Sequence, residues 1–319
     1  MEYKIDKKVK IAYINIQNYK YNRVIEKIKY LYRFYFNKVN VRDAGSNKVF
    51  EIPLYKKNRI KKNLDSIINK LKFELDKENI EAIVLSKQLK QILCDKLKEE
   101  NIGVPILNGK FLMKNLVINI IEKILKIRNE NINLTNIYVL VDKYNKENLD
   151  ILYDLASKVK YINIITNNIK YFKKMEDRLL KNDGVAISVA NNRKKSLKRA
   201  EIIINFDFND ELIRKYNINR EAIIVNCYSQ NLDLEPFFSG VIINNIEIED
   251  SKIFEYFEIY DIFEGFVISE LYESLIFTEK YDRIVMENSK ANLLIKTFLG
   301  NRGYINPREL TNNTKVNVK

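Results

Sequence analysis

The chain reads as an α/β protein of two lobes, the second a doubly wound parallel sheet. Three observations predict this. Short β-branched runs alternate with amphipathic segments along most of its 319 residues, as parallel strands joined by helical crossovers do. The strand segments after Asn136 are apolar at nearly every position rather than every second one, which marks strands covered on both faces. The length also exceeds one ordinary domain of ~100–200 residues, so two are expected.

The elements follow in order. VKIAYINI (9–16) reads as a strand, and NRVIEKIKYLYRFYF (22–36) as a helix packed on one side. In NKVNVRDAGSNKVFEIPL, two short strands flank the polar turn Asp43-Ala44-Gly45-Ser46, a hairpin signal. A basic helix covers about Lys56 to Asp76, IEAIVLS (80–86) is a buried strand, and KQLKQILCDKLKEEN is a helix ending near Gly103. Cys94, among Ile92, Leu93 and Leu97, reads as a buried structural thiol. GVPILNGKF leads into a long helix, Leu112 to Arg128, and the polar NENINLTN after it marks the boundary between lobes.

From there the alternation is regular: IYVLV (137–141), a helix with Leu149, Leu152, Leu155, Ala156 and Val159 on one stripe, and YINII (161–165). A helix through Phe172, Met175 and Leu179 follows, with a turn at Asp183-Gly184 and the strand VAISV (185–189). EIIINF (201–206), a helix near Asp210 to Tyr216 and AIIVN (222–226) complete the series. Beyond about Ser229 come the strand-like VIINNIEIED, helices around Phe266 to Phe277 and Asn288 to Leu299, and a short terminal helix opened by Asn306-Pro307. The expected domains are 1–130, N-terminal α/β; 131–240, a doubly wound sheet; 241–310, an acidic strand and helices packing on the lobes; and 311–319, a disordered tail.

Composition narrows the chemistry. The chain has no histidine, which removes Ser-His-Asp and Cys-His nucleophilic catalysis and imidazole ligation. Cys94 and Cys227 fit no metal-ligand spacing, so neither a disulfide framework nor a metal site is expected. The most lipid-like segment, FLMKNLVINIIEKILKI, is cut by Lys114, Glu122, Lys123 and Lys126, and MEYKIDKKVK lacks the apolar core of a signal peptide. No membrane partner and a cytoplasmic location are the expectation.

The net charge of +13 would suit nucleic acid, because basic faces gain affinity from phosphate neutralisation. Lysine, however, shares A/T-rich codons with the abundant Asn, Ile and Tyr, so coding bias competes as the cause. Asp233 to Glu273 holds eleven acidic residues against one basic residue, Lys252, while YKKNRIKKN (55–63) and NNRKKSLKR (191–199) are basic. Such asymmetry suits docking of acidic 233–273 on basic surfaces, within the chain or in a homo-oligomer. A solvated charge run is the plainer account. The tyrosines of NYKYNRVIEKIKYLYRFYF lie at helical spacing and read as packing, with base stacking as the alternative.

INIITNNIKYFKKM, KRAEIIINF and EAIIVNCY give roughly Asn136 to Gln230 a resemblance to a known family. This stretch resembles the NAD(P)-binding Rossmann domain of the shikimate dehydrogenase and glutamyl-tRNA reductase type. The resemblance implies a Rossmann-like sheet and NAD or NADP as cofactor. The chain departs from that pattern at the phosphate-binding turn. Where the family has glycines after its first strand, this chain has Asp142-Lys143-Tyr144-Asn145-Lys146-Glu147, and no glycine occurs between Gly109 and Gly184. Every residue of the turn therefore carries a Cβ where a phosphate needs room. Asn145 suits a helix N-cap, and Glu147 already complements the helix dipole. Thr166-Asn167-Asn168 replaces the family's acidic or arginine-bearing second turn.

In an open parallel sheet, ligands sit beyond the carboxyl ends of strands. The cofactor-binding candidates there are Asp142, Tyr144, Asn145, Asn167, Asn168, Asn205 and Asn226, with Asn191 and Tyr228 beside them. Cys227 is the one candidate nucleophile, with a buried thiol as the plainer reading. Asp207 is a catalytic candidate through a carboxylate pair with Asp142, with capping as the plainer role. The leading functional reading is a non-catalytic or ligand-sensing protein whose partner is a nucleotide or small molecule. The alternatives are an NAD(P)-dependent oxidoreductase with an atypical phosphate loop, and a nucleic-acid-associated protein using the basic N-terminal lobe.

Overall fold

The computed structural model describes residues 9–16, 32, 38–52, 60–183, 186–249, 257, 265–278 and 293–311. The helix expected over 22–36, apart from Tyr32, lies outside these, as do Gly184 and the tail from 312. Contacts divide the chain into Met1–Asn108 with Asp250–Leu293, and Gly109–Glu249 with Leu294–Lys319. The boundary thus falls at Gly109 where 130 was expected. The stretch expected as one 241–310 segment is shared between the two units.

In the first unit, β1 (Ile11–Ile16), β2 (Asn40–Ala44), β3 (Asn47–Ile52), β4 (Ala82–Leu85) and β5 (Ile106–Leu107) form a sheet in the order β2-β3-β1-β4-β5. Only β2–β3 is antiparallel. Gly45, at φ 64°, supplies the left-handed residue of the two-residue turn that joins them. Helices α1 (Ile60–Lys77) and α2 (Lys87–Glu99) cover the sheet because their apolar residues recur at helical spacing. Ile67, Ile68, Leu71 and Leu75 meet Leu89, Leu93 and Leu97 over Phe50 and Ile83. Each such side chain contributes about 1.5–3 kcal/mol when fully buried.

The second unit opens with α3 (Lys110–Asn115) and α4 (Val117–Arg128), then β6 (Asn136–Leu140), α5 (Lys146–Ala156), β7 (Tyr161–Ile165) and α6 (Ile169–Asp183). It continues with β8 (Ala186–Ala190), β9 (Ile202–Asn205), α7 (Asp210–Ile213), β10 (Ile223–Asn226) and β11 (Val241–Ile243). The one long helix expected over 112–128 is broken at Leu116, which leaves helical geometry (φ −95°, ψ 12°). The six strands lie in the order β11-β10-β9-β6-β7-β8, all parallel. Counted within the sheet this is 3-2-1-4-5-6, the doubly wound Rossmann order. Connections leave β6 and β9 in opposite directions, so a crevice opens beyond their carboxyl ends. On one face Leu140, Ile165, Ile203 and Ile224 join a cluster with Phe208, Leu234 and Phe238. Val139, Ile164, Ile204 and Val225, which alternate with them, are buried as well.

Two readings of the C-terminal part need correction. VIINNIEIED is two strands in different sheets: β11 ends at Ile243, and β12 (Asn245–Glu249) joins β13 (Leu294–Gly300) and β14 (Gly303–Tyr304) in an antiparallel sheet. The helix expected near 288–299 is replaced, over its described part, by β13. Ile295 and Phe298 are buried while Leu294 and Lys296 are exposed, and the helical spacing of Leu294, Ile295, Phe298 and Leu299 gives way to pairing with β12. The Asn306-Pro307 start is as expected: Asn306 and Glu309 close a capping box on the helix Pro307–Leu310. Among the described residues, no helix is long and apolar enough to cross a membrane.

Candidate functional site

The carboxyl ends of β6, β7 and β8 carry one hydrogen-bonded network centred on Asp142. Its Oδ1 accepts from the Asn167 backbone N–H at 2.6 Å and from Thr166 Oγ1 at 3.1 Å, and its Oδ2 accepts from Asn167 Nδ2 at 2.6 Å. Asn168 Nδ2 donates to the Asp142 carbonyl at 2.6 Å. The chain continues outward: Asn191 Nδ2 donates to Asn167 Oδ1 at 3.0 Å, and the Tyr216 hydroxyl donates to Asn191 Oδ1 at 2.5 Å. Burial, and after it the Asp142 carboxylate, push the Tyr216 phenol above its ordinary value.

Asp207, just beyond β9, faces the turn after β6. Its two carboxylate oxygens accept from the backbone N–H groups of Asp142 and Lys143, each at 2.7 Å. Burial raises its pKa, the two N–H donors oppose the rise, and the nearby Asp142 charge adds to it. The rest of the turn is braced locally. Asn145 caps α5 by accepting from the Asn148 N–H at 2.9 Å, and Asn148 Nδ2 donates to the Lys143 carbonyl at 2.7 Å. Glu147, in the first turn of α5, pairs with Lys114 at 2.7 Å. Lys114 also sits 5.5 Å over the Phe206 ring.

Tyr144 does not enter the crevice network through any hydrogen bond described. Its ring lies 5.6 Å from Tyr171 and 5.3 Å from Phe172. Tyr144 and Tyr171 remain 44% and 53% exposed, so two adjacent rings face solvent beside Asn167 and Asn168.

On the other half of the sheet the strand ends are buried. Asn205 Nδ2 donates to Asn226 Oδ1 at 3.0 Å, Asn226 Nδ2 to Asn244 Oδ1 at 2.7 Å, and Asn244 Nδ2 to Asn301 Oδ1 at 2.7 Å. Asn205, Asn226 and Asn244 are at most 2% exposed. They tie the ends of β9, β10 and β11 together and hold nearby loops, since Asn205 also bonds Phe208 and Asn244 bonds Leu232. Lys110 donates to the carbonyls of Asn226 and Asn244. Cys227 is buried beside this ladder, and burial pushes its thiol up to about 12 despite Lys110 and Lys114. The thiol is therefore protonated at neutral pH and lacks the thiolate character of a nucleophile. Among the described residues, no three His, Cys, Asp or Glu side chains group as a metal-ligand set.

The structure thus gathers Asp142, Asn167, Asn168 and Asp207 around one turn, packs the Tyr144 ring on Tyr171 and Phe172, uses Asn145 to cap α5, and places Asn205 and Asn226 in a separate buried ladder. Thr166, Asn244, Asn301 and Lys110 were not foreseen as partners. One signal for Asn244 is in the sequence: IIIN, IIVN and VIIN recur at Asn205, Asn226 and Asn244.

No family model and no curated protein matches this chain. Solved structures similar to it include shikimate 5-dehydrogenase from Listeria monocytogenes, at 10% identity over 86% of this chain and 99% of that one, TM-score 0.32. L-tryptophan dehydrogenase from Nostoc punctiforme gives 11% identity over 89% and 88%, TM-score 0.33. A putative aspartate carbamoyltransferase from Trypanosoma cruzi gives 13% over 72% and 76%, TM-score 0.24. Likeness at this level carries no activity and no residue role to this chain. The Rossmann-like fold is read from the strand order itself.

Proposed function

We propose that this is a non-catalytic, ligand-sensing protein on a Rossmann-like scaffold whose diphosphate cradle is occupied by its own side chain. The observation that carries the reading is Asp207, which takes both backbone donors at Asp142 and Lys143. In this strand order, the turn after the first strand offers its N–H groups and a glycine-opened space to the cofactor's diphosphate. Here a diphosphate would have to displace one carboxylate and lie near that of Asp142, while the Glu147 carboxylate is paired with Lys114. Like charges about 4 Å apart repel by about 4 kcal/mol at an effective dielectric constant of ~20, more than a single ordinary hydrogen bond returns.

Thermal unfolding with NADH and NADPH tests this. A specific ligand at a hundredfold excess over its Kd adds about 2.7 kcal/mol of stability. The expected result is an unchanged Tm with either dinucleotide, and a rise of several degrees overturns the reading.

A second reading, an NAD(P)-dependent oxidoreductase with an atypical phosphate loop, has one structural observation in its favour. The exposed Tyr144 and Tyr171 rings lie beside Asn167 and Asn168, at the end of the second strand, where a dinucleotide's ribose rests in this fold. Saturable enhancement of NADPH fluorescence, lost in Tyr144→Ala, would support it.

A further inference from the structure

The loop between α7 and β10 and the loop between β10 and β11 enclose a cleft of about 310 Å³. Its floor is apolar, with Tyr216, Leu234 and Phe238 belonging to the buried cluster on that face of the sheet. Phe238 is held close by Gly240, where a Cβ would lie 2.5 Å from the Phe238 ring and 2.2 Å from the Ala222 carbonyl oxygen. At the rim, Phe237 stands 72% exposed. The Arg214 guanidinium lies 4.9 Å from the Phe237 ring centroid, a contact that favours this position. Arg214 is itself anchored, with Nη2 donating to the carbonyls of Asp233 at 2.7 Å and Glu235 at 3.4 Å. Arg220 also lines the cleft. It is exposed, and it forms no ion pair among the described residues.

We propose that this cleft binds a single-ring aromatic carboxylate, its ring on Phe237 and its carboxylate on Arg220. Size sets the first limit: ligand pockets span about 300–1,000 Å³, so this one takes a single ring and no dinucleotide. Charge sets the second. Arg214 is committed to two carbonyls and a ring, which leaves one guanidinium, and a planar singly charged carboxylate matches its fork in two parallel hydrogen bonds. The phenyl face left exposed supplies offset stacking for a flat ring. The Tyr216 hydroxyl is already given to Asn191, so the wall it forms offers an apolar ring face. None of this depends on what occupies the Asp142–Lys143 turn.

The test is calorimetric titration of the full chain with benzoate, with cyclohexanecarboxylate and benzyl alcohol as controls. Benzoate is expected to bind saturably, with each control at least about tenfold weaker, a difference of about 1.4 kcal/mol. Arg220→Gln and Phe237→Ala should each weaken benzoate about tenfold or more with an unchanged Tm, since both side chains are exposed, and Arg220→Lys should fall between. Absence of saturable binding overturns the proposal. So does benzyl alcohol binding as well as benzoate, or benzoate affinity that survives Arg220→Gln.

Discussion

The two halves of the six-stranded sheet end differently. Past β9, β10 and β11 the polar side chains are buried amides that satisfy one another. Past β6, β7 and β8 they include a carboxylate and exposed amides at the crevice mouth, with a second carboxylate, Asp207, reaching across from β9. Residue types that look alike in the sequence thus do different work. A buried amide left without a partner costs the full desolvation of its polar atoms, so the ladder holds strands together. An exposed amide is repaid by water, so the Asp142 network is free to change.

The largest expected effect lies in the ladder. Asn244→Ala leaves the Leu232 N–H and the Asn226 amide without their partner and should cost about 3 kcal/mol in urea unfolding. Asn167→Ala, in the exposed half, should cost under about 1 kcal/mol; the reverse order would break the comparison. Next is Asp207→Ala. It should lower stability by about 1 kcal/mol while raising pyrophosphate affinity about tenfold, because two backbone donors are freed and a negative charge is removed. Calorimetry with pyrophosphate reads the second effect, and an affinity equal to wild type would show that Asp207 guards nothing.

Smaller still is the pH response. Asp207 has a folded pKa raised above its ordinary 3.8, so the proton-linked part of its contribution to stability is fullest below that value and is lost as pH rises through the folded pKa, leaving that of its two backbone hydrogen bonds. The stability difference between wild type and Asp207→Ala should therefore shrink with rising pH across the acid range. A difference that grows would contradict the assigned direction. The smallest effect is Lys114→Met, expected below about 1 kcal/mol by thermal unfolding, since its ion pair with Glu147 is partly exposed and its ring contact is weak.

The parallel sheet was legible because IYVLV, YINII, IIIN and IIVN are short, largely apolar on both faces and separated by segments long enough for helical crossovers. The missing glycine and the Asn145 cap were legible too, since both depend on residue type at one position. What sequence could not show was pairing across distance. Asp207 lies 65 positions from the turn it closes, and nothing in the local composition says that a strand-end aspartate points at another strand's backbone. Misreading β13 as a helix has the same origin: Leu294, Ile295, Phe298 and Leu299 recur at helical spacing, and it is pairing with the distant β12, across a register shift, that makes the segment a strand.

The most direct test of the central claim watches the backbone amides of Asp142 and Lys143 by NMR in nitrogen-labelled protein. Asp207 is expected to hold both resonances unmoved by NADPH in the wild type, and pyrophosphate is expected to shift them only after Asp207→Ala. Saturable movement of both wild-type amides on adding NADPH would contradict the account.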